Sequence, residues 1–320
     1  MLRTLRRSPV SRAFPVALFL VALCCIDAAG ARSPAPDTIF INGKLVVYDG
    51  APAQALAVRD GKIMAIGRTA KIRALGGPAT RVIDLSGRTA IPGLIDSHIH
   101  AIRAGLSYNT EVHWFGVRTL DEALGRLRAA AGKAPRGSWL VVAGGWTERQ
   151  FREDRPPTQA EIAAAAPDHH VYIQLLYSKV LLGPGSAEAL GVAGDPGLSA
   201  RLTVERDVDG KPTGWLSGDN RAISDLFNLL PRPTFAQKLA GTRAFFRALN
   251  AMGITGVNDP GGYNIEIDDY QPVMQIGREH GLTLRVRYSL SAPRRDHELA
   301  DFKELTQRLP MGSGDDRLRF

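Results

Sequence analysis

The sequence predicts an α/β protein that begins with a small β unit. Three observations carry this. Residues 38–96 hold short apolar runs broken by Asn42-Gly43, Asp60-Gly61 and Gly87, the residue pairs and glycines of tight turns. From residue 235 on, helix-periodic and strand-like segments alternate, which implies parallel pairing with a helix between successive strands. The 320 residues are 44% hydrophobic and 22% charged, a globular composition able to bury a sizeable core.

Residues 1–31 read as an export signal. Arg3, Arg6, Arg7 and Arg12 form a positive start, residues 13–26 form an apolar run, and Ala29-Gly30-Ala31 offers small residues for cleavage. The run is too short to span a bilayer comfortably, so no stable membrane span is expected after cleavage. Export then leads to the periplasm in a cell with two membranes. Cys24 and Cys25 are the only cysteines, and both fall in this segment. A chain starting at Arg32 therefore has no disulfide and no thiolate metal ligand. The formal charge of +8 drops by three, to about +5, once Arg3, Arg6, Arg7, Arg12 and Asp27 are removed. No basic block is interleaved with aromatics, so nucleic acid is not an expected partner.

The elements follow in order. Residues 38–49 and 55–67 predict two hairpins, and 80–96 a further strand with a turn at Gly87. Residues 119–132 predict a helix opened by a Thr119–Glu122 capping box. A buried strand follows over 138–146, a helix over 158–166 and a mostly extended run over 171–182. Residues 206–216 predict a hairpin. The alternating series is then helix 235–253, strand 254–259, helix 270–281, strand 282–290, helix 296–310 and a strand starting at 317.

The chemistry concentrates in IPGLIDSHIH, residues 91–100. In a strand, alternate side chains share a face, so Leu94, Asp96, His98 and His100 point one way. His98 and His100 would then stand roughly 7 Å apart along the strand. Neutral imidazoles suit zinc and its neighbours, and Asp96 could orient one of them from behind. Weaker candidates lie elsewhere. Trp146 follows Gly144-Gly145 at a strand end and either walls a pocket or packs in the core. Asp259 ends a predicted strand. Arg285 and Arg287 alternate with Leu284, Val286 and Tyr288; the apolar set would pack on helices and the arginines would face the other side. Such arginines need acidic partners or a substrate carboxylate. His169, His170, His280 and His297 read as solvated or structural histidines.

These residues resemble the metal-dependent amidohydrolase superfamily. The likeness rests on PGLIDSHIH after a β unit, then GSWLVVAGGWTERQF (137–151), RPPTQAEIAAAAPDHHVYI (155–173), SAEALGV (186–192), DGKPTGWL (209–216), GITGVND (253–259) and LTLRVR (282–287), in that order. They look like the amidohydrolase-3 branch that includes N-substituted formamide deformylases. The resemblance implies a partial TIM-like (β/α) barrel over 91–320, a small N-terminal β-sandwich portion over 32–90, and an α/β insertion at about 110–230, after the first barrel strand. It implies a divalent metal, zinc by preference, held by His98 and His100. It also implies hydrolysis of a non-peptide C–N bond in a small amide-type substrate. The family's remaining ligands and its general base are expected beyond Phe320, so the chain reads as about half of such a barrel. Many relatives carry a histidine and an asparagine in the stretch 175–186; here Tyr177 and Gly183 stand near those positions, which points to a different substrate or to a subgroup with different chemistry. The alternative is a catalytically incompetent half-barrel or binding remnant, whose open sheet edges would favour association with partners, including copies of itself.

Overall fold

A computed structural model describes residues 34–48, 50–262, 265–292 and 296–320. The predicted export signal lies outside the described residues. The chain divides into two compact units, with the division between Pro92 and Gly93.

The first unit holds β1 (Thr38–Ile41), β2 (Lys44–Leu45), β3 (Ala55–Arg59), β4 (Lys62–Gly67), α1 (Thr69–Arg73), β5 (Arg81–Asp84) and β6 (Thr89–Ala90). One sheet has the order β4-β3-β1-β5, and β2 pairs with β6 separately. Ile39 and Ile41, two apart on β1, are buried with Ala55, Ala57 and Ile72, the period of two that a half-buried strand requires. Asp60 and Gly61 take φ of +50° and +71° and close the β3–β4 hairpin as expected. The hairpin expected at Asn42-Gly43 does not form. Both edges of β1 are already taken, by β3 and β5. Asn42, at φ +56°, therefore turns the chain away to the β2–β6 pair.

The second unit begins with β7 (Leu94–Asp96), α2 (Ala101–Ser107), α3 (Leu120–Ala131), β8 (Trp139–Val142) and α4 (Gln159–Ala165). Next come β9 (His170–Leu175), β10 (Lys179–Leu182), α5 (Ser186–Ala189), α6 (Pro196–Ser199), β11 (Leu202–Arg206), β12 (Pro212–Gly218) and α7 (Asn220–Asn228). It continues with α8 (Phe235–Ala251), β13 (Ile254–Asp259), α9 (Gln271–Arg278), β14 (Arg285–Tyr288), α10 (Glu298–Arg308) and β15 (Leu318–Arg319). This is an α/β fold with two sheets.

The first sheet has the order β15-β14-β13-β7 and is parallel throughout. Its strands alternate with α8, α9 and α10, as the sequence predicts. Val257, Val286 and Tyr288 are buried on one face with Phe246 and Leu249 of α8 and Val273 and Ile276 of α9. On the other face Ile95 is 73% exposed. Thr255 and Arg285 are exposed there too, so that face is open among the described residues.

The second sheet, order β11-β12-β10-β9-β8, belongs to the long segment between β7 and β13. The run expected as one extended stretch over 171–182 is two antiparallel strands, reversed at Leu176 with φ +52°. Trp114, Leu127, Trp146, Ile162 and Ile173 fill one core of this segment, and Tyr172, Val180, Leu216 and Leu226 fill another.

Two helix starts compare usefully. At α4 the capping box is complete, with Thr158 and Glu161 each satisfying the other's backbone N–H. At α3 half of it forms. Thr119 accepts from Glu122 N at 3.2 Å, but the Glu122 carboxylate accepts from Arg118 N and Arg126 instead.

Helices α2 and α8 approach closely because both are lined with small residues. A Cβ on Gly241 would stand 2.5 Å from the Gly105 carbonyl oxygen, and one on Gly105 would stand 3.0 Å from Thr242 Cα. Gly241→Ala is expected to lower stability by about 1–3 kcal/mol, read by urea unfolding, because backbone must move to admit the methyl. Glu161 gives a pH-dependent test. The hydrogen bonds from Arg155 hold its carboxyl down at about 2, with Thr158 assisting. Its folded pKa is below the unfolded one, so its stabilising effect is present above the ordinary carboxylate range and is lost as pH falls. The stability gap between wild type and Glu161→Gln should be widest near neutrality and shrink from pH about 4.5 towards 2.

Candidate metal-binding site

Strand β7 ends at Asp96, not at His100. The geometry expected from strand alternation is therefore corrected: the histidines are brought together by a turn and a helix start. Asp96 Oδ1 accepts a hydrogen bond from His98 N at 3.0 Å, a side-chain-to-backbone contact that draws the chain out of extended pairing. Asp96 Oδ1 is taken by backbone, and among the described residues Asp96 makes no hydrogen bond to either imidazole. The end of β13 holds the turn in place. Ile99 N donates to Asn258 O at 3.2 Å, and Asn258 Nδ2 donates to Ser97 O at 3.2 Å.

His100 is the residue before α2, with φ −77° and ψ +62°. Its ring Nδ1 makes a short hydrogen bond to the carbonyl oxygen of Gly261. A carbonyl only accepts, so Nδ1 carries the hydrogen and Nε2 is the nitrogen left to bind elsewhere. Gly261 takes φ +84°, and a Cβ there would run into Ser291 Oγ, so the loop needs glycine.

Asp259 fixes both ends of this contact. It is fully buried at the end of β13. Oδ2 accepts from Ile102 N at 2.8 Å, one of the free N–H groups in the first turn of α2. Oδ1 accepts from Gly261 N at 2.9 Å. Burial pushes the Asp259 carboxyl up, while these N–H groups and His100 pull it back. Asp259 was legible as a strand-end carboxylate, but Gly261 was not singled out. The Pro260-Gly261-Gly262 run directly after a strand was the available signal.

The rings of His98 and His100 have centroids 5.5 Å apart and planes at 82°. A zinc–nitrogen bond of about 2.1 Å sets each ring centre roughly 3.2 Å from a shared ion, so a tetrahedral pair has its centres about 5.2 Å apart. The observed pair fits that separation. Both residues are exposed, leaving the rings accessible. Among the described residues no cluster of three or more His, Cys, Asp or Glu side chains suited to a metal forms.

The other sequence candidates lie elsewhere. Trp146 is 3% exposed, packed against Trp114 and Phe151, and donates from Nε1 to Gln174 O at 2.9 Å. It is a core residue and not a pocket wall. Tyr177 sits at the β9–β10 turn and is 68% exposed. Arg285 and Arg287 alternate with the buried Val286 and Tyr288 as expected, Arg285 exposed and Arg287 half-buried. Among the described residues neither forms an ion pair with a carboxylate. His280 lies just beyond α9 at φ +53°, and His170 opens β9.

Residues 81–320 match the Amidohydrolase family, and the chain belongs to that family. It is 28% identical over 234 residues to the N-substituted formamide deformylase of Arthrobacter pascens, covering 70% of this chain and 42% of that protein. It is 25% identical over 173 residues to the putative amidohydrolase YtcJ of Bacillus subtilis strain 168, covering 53% of this chain and 32% of that one. A metal-dependent hydrolase of uncharacterised role from Pyrococcus furiosus shares the fold, with TM-score 0.59, 18% identity, and coverage of 88% of this chain and 55% of that one. The chain spans about half the length, or less, of these relatives.

The Asp259 bracket makes a direct prediction. Asp259→Ala leaves two backbone N–H groups without their acceptor and should cost about 2–4 kcal/mol in urea unfolding. Asp259→Asn keeps one acceptor oxygen and should cost less.

Proposed function

We propose that this chain carries the first two metal ligands, His98 and His100, of a divalent-metal hydrolase acting on non-peptide C–N bonds of small amides. The observation that supports it most is the ring pair itself, with centroids 5.5 Å apart and His100 aimed by Gly261 O. The pair lies at the C-terminal end of β7 in a parallel sheet, the edge at which such folds place their sites. The deformylase relative makes N-substituted formamides a first substrate class to try, and zinc is the first metal to try.

The chain's own contribution is positional. Asp259 and Gly261 hold the His100 ring with Nε2 free, and Asp96 and Asn258 hold the turn that carries His98. In this reading Arg285 and Arg287, on the open face of the sheet, would meet a substrate carboxylate. A bound divalent ion would polarise the carbonyl of the scissile bond and acidify water beside it. Residues 1–31 would direct the protein out of the cytoplasm, in a double-membrane cell to the periplasm. Among the described residues no helix is long and apolar enough to cross a membrane.

Zinc titration of the chain by calorimetry is expected to show one weak site, because two imidazoles fill half a tetrahedron. His98→Ala and His100→Ala should each weaken it tenfold or more. The natural gene product, screened on N-substituted formamides and related amides, should show hydrolysis that a chelator abolishes and zinc restores. Zinc binding unchanged in both variants, or hydrolysis indifferent to chelator, contradicts the proposal.

A further inference from the structure

The second unit encloses a cavity of about 480 Å³ that none of the metal-site residues lines. Its lining includes Arg103, Leu106 and Ser107 of α2, Trp139 of β8 and Phe227 of α7. It sits toward the C-terminal end of α2, and His100 precedes the first residue of that helix. Arg103 follows His100 by three residues, yet the lining includes neither histidine nor any residue that holds them.

Two of the three cations around the cavity are held in direct ion pairs. Lys238 Nζ is 2.6 Å from Asp269 Oδ1, with both side chains largely buried, and Arg232 pairs with Glu266 at 3.0 Å. Arg103 has no such carboxylate. Its guanidinium lies 4.7 Å from the centre of the Phe227 ring and donates to Ser107 Oγ at 3.3 Å. Ser107 Oγ in turn donates to Glu111 Oε1 at 2.5 Å. An arginine has five N–H donors. Ser107 takes one, and among the described residues no other protein acceptor takes the rest. Glu111 lines the cavity too, but it meets Arg103 through Ser107 and not in a direct ion pair. A half-buried guanidinium stacked on an aromatic ring, with donors to spare and Leu106, Trp139 and Phe227 beside it in the lining, suits a planar anion.

We propose that this cavity binds a small organic carboxylate, its carboxylate group on Arg103 and its apolar body against Trp139, Leu106 and Phe227. The volume falls in the range of small-molecule pockets. The site is independent of the metal ligands and does not require the hydrolase reading.

The test is calorimetric titration of the metal-free chain with phenylacetate and with its neutral isostere phenylacetamide. Phenylacetate is expected to bind at least tenfold more tightly. Arg103→Met should erase that preference, and Arg308→Ala, on α10 and outside the cavity, should keep it. Because loss of Arg103 could disturb folding, Asn228→Trp provides a second route: Asn228 is exposed at the cavity rim, and the indole should block entry with α7 intact. Equal binding of acid and amide, no binding of phenylacetate, or a preference that survives in folded Arg103→Met or in Asn228→Trp, would overturn the proposal.

Discussion

The hydrogen bond from His100 to the Gly261 carbonyl is the contact on which the site depends. It chooses the tautomer, restricts the ring, and leaves Nε2 as the free nitrogen. Neither partner achieves this alone. His100 is held by the start of α2, and Gly261 by the loop after β13; the buried Asp259 carboxylate bonds to both. An imidazole aimed before any ion arrives loses less rotamer freedom on binding. Outer contacts of this kind are worth roughly 10–100-fold in metal affinity where they have been removed.

Helix α2 connects the other features. Its first turn receives Asp259, and its middle meets α8 through Gly105, Gly241 and Thr242. Arg103 in its first turn and Ser107 at its end line the cavity. Close approach of two helices through glycine removes side-chain freedom and leaves the axis little room to shift. The position of His100 is thus fixed by packing several residues away as well as by its own hydrogen bond.

Much of the second unit was legible in the sequence because helix and strand periods differ and because turns and caps mark the boundaries. The series from α8 to β15 follows the alternation read from residues 235–320, and the inward and outward sets of β14 follow from a period of two. What periodicity could not reveal was where β7 stops. Asp96-Ser97-His98 reads as alternating polar strand, but a short carboxylate two residues before an N–H competes with the sheet ladder, and here it wins. The two rings still stand 5.5 Å apart, brought there by another route. The role of Gly261 was hidden for a related reason: it contributes a carbonyl and a positive φ, not a side chain. Trp146 shows the reverse failure, since a residue beside a Gly-Gly turn at a strand end lies equally well in a core or on a rim. Arg103 gave no motif at all, because its importance comes from Phe227, distant in the chain.

The account rests on Nδ1 of His100 being the donor to Gly261, and long-range ¹H–¹⁵N NMR of the imidazole rings tests this directly. At a pH where the ring is neutral, His100 should show a protonated Nδ1 and a bare Nε2, with the Nδ1 proton slow to exchange. A His100 ring protonated at Nε2, or averaging freely between the two forms, would contradict it.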